Sequence, residues 1–110
     1  NKDMSAIFTW SVENCVRETD TGGIVEAIWR CNANETVDSV DFTSTCSGMQ
    51  RFFPSPESAG FITYENVIES DVLNWLWADS VDAAEIERSL QAAINDQKEP
   101  ERLEGLPWIL

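Results

Sequence analysis

The sequence predicts an α+β fold: an antiparallel β-meander of three to four strands, followed by two helices packed on one face. Three observations predict it. Three successive segments of the first half alternate apolar and polar residues with period 2, the pattern of strands with one buried face. The second half switches to i, i+3, i+4 spacing with acidic starts and a proline stop, the pattern of amphipathic helices. Strands thus precede helices instead of alternating with them, which is the order of an α+β domain.

The first predicted strand covers residues 6–17. Phe8, Trp10, Val12 and Val16 fall on one parity, with Thr9, Ser11, Glu13 and Cys15 on the other. The run Thr19-Asp20-Thr21-Gly22-Gly23 is a turn, its glycines free to take positive φ. The second strand covers residues 24–33, with Val25, Ala27, Trp29 and Cys31 on one face and a mixed face carrying Ile24, Glu26, Ile28 and Arg30. Residues 32–35 read as the next turn and residues 36–48 as the third strand, with Val40, Phe42 and Cys46 turned inward. Short turns between the three imply a meander with one solvated face. In this arrangement Cys31 and Cys46 lie on the buried face and Cys15 on the open one. A Cys31–Cys46 bridge is conceivable on neighbouring strands but is not predicted.

Residues 49–60 cannot continue a central strand, because Phe52-Phe53-Pro54-Ser55-Pro56 holds two prolines. Residues 60–64 could add a short fourth strand. A first helix follows Glu69-Ser70-Asp71, acids that suit a helix N-terminus. It contains two of the five tryptophans, Trp75 and Trp77. Residues two apart do not share a helix face, so each needs its own receiver. Trp75, with Val72 and Leu76, is expected against Trp10, Trp29 and Phe42 of the sheet. Trp77, with Leu73, is expected against the last helix or a returning Leu106-Pro107-Trp108. That last helix opens on Asp82-Ala83-Ala84-Glu85, a capping box with Asp in place of Ser. Ile86, Leu90, Ala93 and Ile94 form its apolar stripe, and Glu85, Glu87, Arg88, Gln91 and Asn95 its solvent side. Pro100 stops it, and an apolar ending with Trp108, Ile109 and Leu110 is expected to dock on its own domain.

At 110 residues the chain is one domain by length. Met4 reads as the natural start, so the domain is drawn as residues 4–110. The 43% hydrophobic and 25% charged composition is globular rather than disordered. No apolar run reaches the length of a membrane helix. The formal charge is −13, with 20 acids, 7 bases and no histidine. Such a surface lacks the lysines and arginines that phosphate backbones and anionic lipid require, so neither nucleic acid nor a membrane is an expected partner.

No histidine means no histidine-based triad and no imidazole metal ligand. Phosphate-binding, zinc-hydrolase and nucleophile-elbow patterns are missing too. Three cysteines without a CxxC pair read as reduced structural thiols. The carboxylate pairs Asp79 with Asp82, Glu85 with Glu87 and Glu99 with Glu101 sit at helix termini or in a polar linker, where capping and solubility explain them. An enzyme is not expected, and neither is a cofactor or a metal. The residues that could meet a partner are the apolar ones without an assured place in the core: Phe52, Phe53, Trp77, Trp108, Ile109 and Leu110.

Several segments together carry a family resemblance. They are Ile7-Phe8-Thr9-Trp10-Ser11-Val12, Gly23-Ile24-Val25-Glu26-Ala27-Ile28-Trp29, and Ile62-Thr63-Tyr64-Glu65-Asn66-Val67 running into Val72-Leu73-Asn74-Trp75-Leu76-Trp77-Ala78. The helix over residues 85–98 and the terminal Leu106-Pro107-Trp108 complete the set. The chain resembles a family of small uncharacterised proteins of tailed bacteriophages, typical of marine cyanophages. Residues 37–59 depart from that family, whose third strand is rich in Ser, Tyr and Gly. The resemblance implies a phage origin, with genes often lying among virion structural genes, and brings no catalytic residues. The expected function is that of a small acidic non-enzymatic phage protein acting through protein–protein contacts, virion-associated or accessory to tail assembly. The alternative is a soluble effector that binds a host protein through its acidic, nucleic-acid-like charge. The corresponding locations are the virion or the host bacterial cytoplasm. A homo-oligomer is left open, since a second subunit could receive one of the two helix tryptophans.

Overall fold

The computed structural model describes residues 5–100 and 103–109. Three antiparallel strands, β1 (Ile7–Arg17), β2 (Ile24–Val37) and β3 (Val40–Arg51), form one sheet in the order β1-β2-β3. Two helices, α1 (Glu69–Ala78) and α2 (Ala83–Lys98), follow and pack on the sheet. The α+β meander with its helix pair is thus the fold. A fourth strand does not form among the described residues. Residues 60–64 run as loop into a single 3-10 turn at Tyr64–Asn66.

The β2–β3 hairpin turns later than its composition suggests. The polar run Asn32-Ala33-Asn34-Glu35 stays in β2, with Ala33 buried between outward-facing asparagines. The turn is Asp38-Ser39, with φ of 51° and 68°. Positive φ at both loop residues gives the twist that a two-residue hairpin needs. Val40, expected inside, therefore sits at the exposed hairpin tip. Cys31 faces Cys46 across this ladder, and both are free thiols.

Two bulges change which side chains reach the core. The β1–β2 register passes from Val12↔Trp29 to Asn14↔Ile28, leaving Glu13 as the extra residue. Beyond it the faces exchange. Cys15, expected on the open face, stands opposite Ala27 and is half-buried, while Val16, expected inside, is exposed. The second shift, from Val16↔Glu26 to Arg17↔Ile24, skips Val25. It turns Ile24 inward to full burial and leaves Val25, expected inside, only half-buried.

The core occupies one face of the sheet in two adjoining parts. Under α2, Ala6, Cys31, Ala33, Leu90 and Ile94 are buried, with Phe8 and Phe42 against them. Under α1, Trp29, Leu73, Leu76 and Val81 are buried, with Val12 and Phe52 against them. Trp10, Cys46 and Ile86 belong to both parts and join them. Burying one such aliphatic side chain contributes about 1.5–3 kcal/mol, so these two parts are what fix the helices to the sheet.

The helix ends are closed by side chains. The Asp71 carboxylate accepts the Ile68 N–H at 3.0 Å, and the Asp82 carboxylate accepts the Glu85 N–H at 3.1 Å. Between the helices, Gln50 of β3 donates to Asp79 and accepts from Ser80, so the interhelical loop is latched to the sheet. On α2 the expected faces are partly wrong. Gln91, placed on the solvent side, is only 3% exposed, and Ala93, placed on the apolar stripe, is exposed. The Gln91 side chain accepts the Ala6 N–H at 2.9 Å and donates to Glu35 and Asn95. Lys98 closes this network with a 2.8 Å ion pair to Glu35.

Candidate functional site

Neither helix tryptophan has the neighbours expected of it. Trp77 meets Trp10 edge-on, with ring centroids 5.6 Å apart, and Trp10 in turn lies on Trp29 at 5.5 Å. Trp10 Nε1 donates to Glu87 at 2.8 Å, which fixes the middle ring of the three. Trp77 remains 39% exposed as the outer member. Trp75 instead points to the other flank of α1 and meets Phe52 edge-on at 5.7 Å. Phe42, expected near Trp75, packs under α2. The i, i+2 spacing required two receivers, and they are the Trp10 ring for Trp77 and the Phe52 ring for Trp75.

Trp75 and Phe52 form one wall of an open groove of about 360 Å³. Its floor is Ile24, and the rest of its lining comes from Phe53, Pro54, Phe61 and Ile62, with Ser55, Ser58 and Gly60 at the rim. The chain builds this groove for local reasons. The Phe52 N–H donates to the Val25 carbonyl at 2.9 Å, extending the β2–β3 pairing past the end of β3. Strand alternation then turns Phe52 inward and Phe53 outward, where it is 91% exposed. Pro54 ends the pairing and folds over Gly23. A Cβ on Gly23 would stand 2.9 Å from Pro54 Cγ, so only glycine admits this approach.

The apolar ending is not docked on the domain. Leu103, Leu106, Trp108 and Ile109 are all exposed, Trp108 at 75%. A turn closes on itself there, with the Ile109 N–H on the Leu106 carbonyl at 3.0 Å. The expectation of home docking, and of Trp77 meeting this segment, is therefore corrected. Trp77 meets Trp10 instead. Leu110 lies outside the described residues. Of the sequence-selected contact residues, Phe52 and Phe53 share the groove, Trp77 closes the tryptophan row elsewhere, and Trp108 and Ile109 are presented on the tail. Trp75, Phe61 and Ile62 were not among them. Only the two neighbouring prolines hinted that the segment after Phe53 would stand clear of the sheet.

No cluster of three or more His, Cys, Asp or Glu that could hold a metal ion occurs among the described residues. The carboxylates have structural partners: Asp79 holds Gln50, Asp82 caps α2, Glu85 pairs with Arg88 and Glu87 receives Trp10. Burial, with Glu87 and Cys46 nearby, pushes the Cys31 thiol up to about 11, and burial also raises Cys15. A thiol held protonated in this way is a poor nucleophile. No helix is long and apolar enough to cross a membrane among the described residues.

Fold and surface together define a small acidic α+β domain that presents an apolar groove at one place and an apolar tail at another. The chain belongs to the DUF7936 family, a domain of unknown function, whose pattern matches residues 5–108. No curated protein and no solved structure shows significant similarity to it.

Proposed function

We propose that this is a small, non-enzymatic protein of a tailed phage that acts by protein–protein contact, as a virion-associated or tail-assembly accessory. The observation that carries the contact reading is the pairing of an open aromatic groove at Phe52, Phe53 and Trp75 with an exposed Leu106, Trp108 and Ile109. Large exposed aromatic groups clustered in this way mark interaction surfaces on soluble domains. The phage assignment rests on the sequence resemblance alone. Mass spectrometry of purified virions tests it: the protein is expected among the structural components. Repeated absence at good coverage of proteins of similar size would overturn the virion reading.

The charge of −13 favours a second reading, a soluble effector made in the infected cell that occupies a basic site on a host protein. Capture from host lysate should then yield a basic partner at low salt that is lost at high salt. Salt-insensitive capture would remove the charge argument.

A further inference from the structure

We propose that the groove at Phe52, Phe53 and Trp75 receives the tail residues Leu106 and Trp108 of a second copy of this chain. The inference rests on the contact-surface reading above but not on the phage assignment. Groove and tail are at opposite ends of the molecule. Lys98, the last residue of α2, is fixed to Glu35 near the hairpin tip, and Gln97 to the Thr43 carbonyl. The groove floor, Ile24, is at the other end of β2. Eleven residues of strand separate Ile24 from Glu35, or about 36 Å at about 3.3 Å per residue. Ten residues separate Lys98 from Trp108, and even fully extended they span at most about 33–36 Å. The turn at residues 106–109 shortens that reach further. A chain cannot seat Trp108 in its own groove with any slack, whereas a neighbouring copy can.

The molecule measures 68 × 30 × 23 Å. Two copies laid antiparallel about a two-fold axis bring each tail to the partner's groove, a closed and reciprocal arrangement. The chemistry of the two surfaces matches. The groove is aromatic and of a size for one indole with an aliphatic neighbour. At this end of the sheet Arg17 is the ladder partner of Ile24, with its guanidinium 3.9 Å over the Tyr64 ring, and Arg51 is the partner of Glu26; neither has an ion pair among the described residues. The tail leads into its apolar residues through Glu99, Glu101 and Glu104. With Arg102 among them they leave the approach net acidic, opposite in sign to this pair of arginines.

Sedimentation equilibrium of the full chain over a concentration series, in about 0.15 M salt to screen the like charges, tests this. The expected species is a dimer. Trp108→Ala and Phe53→Asp should each weaken self-association by about 30-fold or more. Both positions are exposed, so in dilute solution, where the wild type is monomeric, both variants should melt as it does. Mixing the two variants should restore a 1:1 dimer, because the pair holds one intact groove and one intact tail. A monomeric wild type, a dimer that survives both substitutions, or a mixture that stays monomeric would each overturn the proposal. A dimer broken instead by Met49→Asp would assign self-association to the open sheet face and also overturn it. These failures leave the contact reading standing if a partner protein is captured and Phe53→Asp abolishes that capture.

Discussion

Replacing Gln91 with Ala should cost this fold far more than a helix-surface substitution, because one buried side chain joins three elements. Gln91 Oε1 accepts the N–H of buried Ala6 beside β1, and its Nε2 donates to Glu35 on β2 at 2.9 Å and to Asn95 at 3.0 Å. Truncation orphans the Ala6 N–H, which costs about 1–3 kcal/mol, and removes a hydrogen bond to a charged acceptor as well. The expected loss is about 2–4 kcal/mol, read as a lower urea midpoint at unchanged slope. Each kcal/mol should also lower Tm by about 4–8 °C. A loss below about 0.5 kcal/mol would refute the network as a stabilising device. Gln91→Glu sharpens the test: it keeps the acceptor for Ala6 but removes both donors and sets a carboxylate beside Glu35. At neutral pH it should be worse than Ala, and it should recover as the pH falls through the carboxylate range.

The pH dependence of the wild type follows from the same network. The hydrogen bond from Lys98, then that from Gln91, holds the Glu35 carboxyl below its ordinary value. A carboxylate favoured in this way stabilises the fold above its unfolded pKa, and that stabilisation is lost as the pH falls through the lower folded value. Glu35→Gln should therefore remove this contribution, so that urea midpoints measured across the carboxylate range fall less steeply with acid than in the wild type.

Three further outcomes are expected. Gly48→Ala should destabilise by about 1–3 kcal/mol in urea, since its Cβ would stand 2.8 Å from Trp29 Cζ2 and push the indole out of place. Asp38→Asn combined with Ser39→Gly should stabilise by about 0.5–1 kcal/mol, because both positions hold positive φ that those residues adopt with less strain. Trp108→Ala should leave the melting temperature of dilute protein unchanged within about 0.5 kcal/mol, as for a surface position; a core aromatic would cost about 3–5 kcal/mol.

The strand and helix periods were legible because each rests on local spacing. Phe8, Trp10, Trp29 and Cys31 take the faces their parity assigns, and Asp82 caps the helix that its spacing to Glu85 announced. What parity could not show was where it breaks. The bulge at Glu13 and the skipped Val25 exchange faces at one end of the sheet, and nothing in Val-Glu-Asn-Cys marks an extra residue. The hairpin was misplaced because asparagines resemble turn residues, whereas Asp38-Ser39 carries no glycine to announce it. Gln91 looked solvated because a glutamine on a helix usually is, and its three partners lie 85, 56 and 4 residues away. The groove was half legible. Phe52-Phe53-Pro54 stood out, but Trp75 joins it only through tertiary packing.

Placing photo-reactive benzoylphenylalanine at position 108 of the full chain and irradiating it tests most directly whether the tail is a contact element and the groove its receiver. Cross-links to peptides holding Phe53, Phe61 or Trp75 of another chain, carried in a band of twice the monomer mass, are the predicted result. Cross-links confined to the monomer band, to α2 or to the tryptophan row around Trp77, would contradict it.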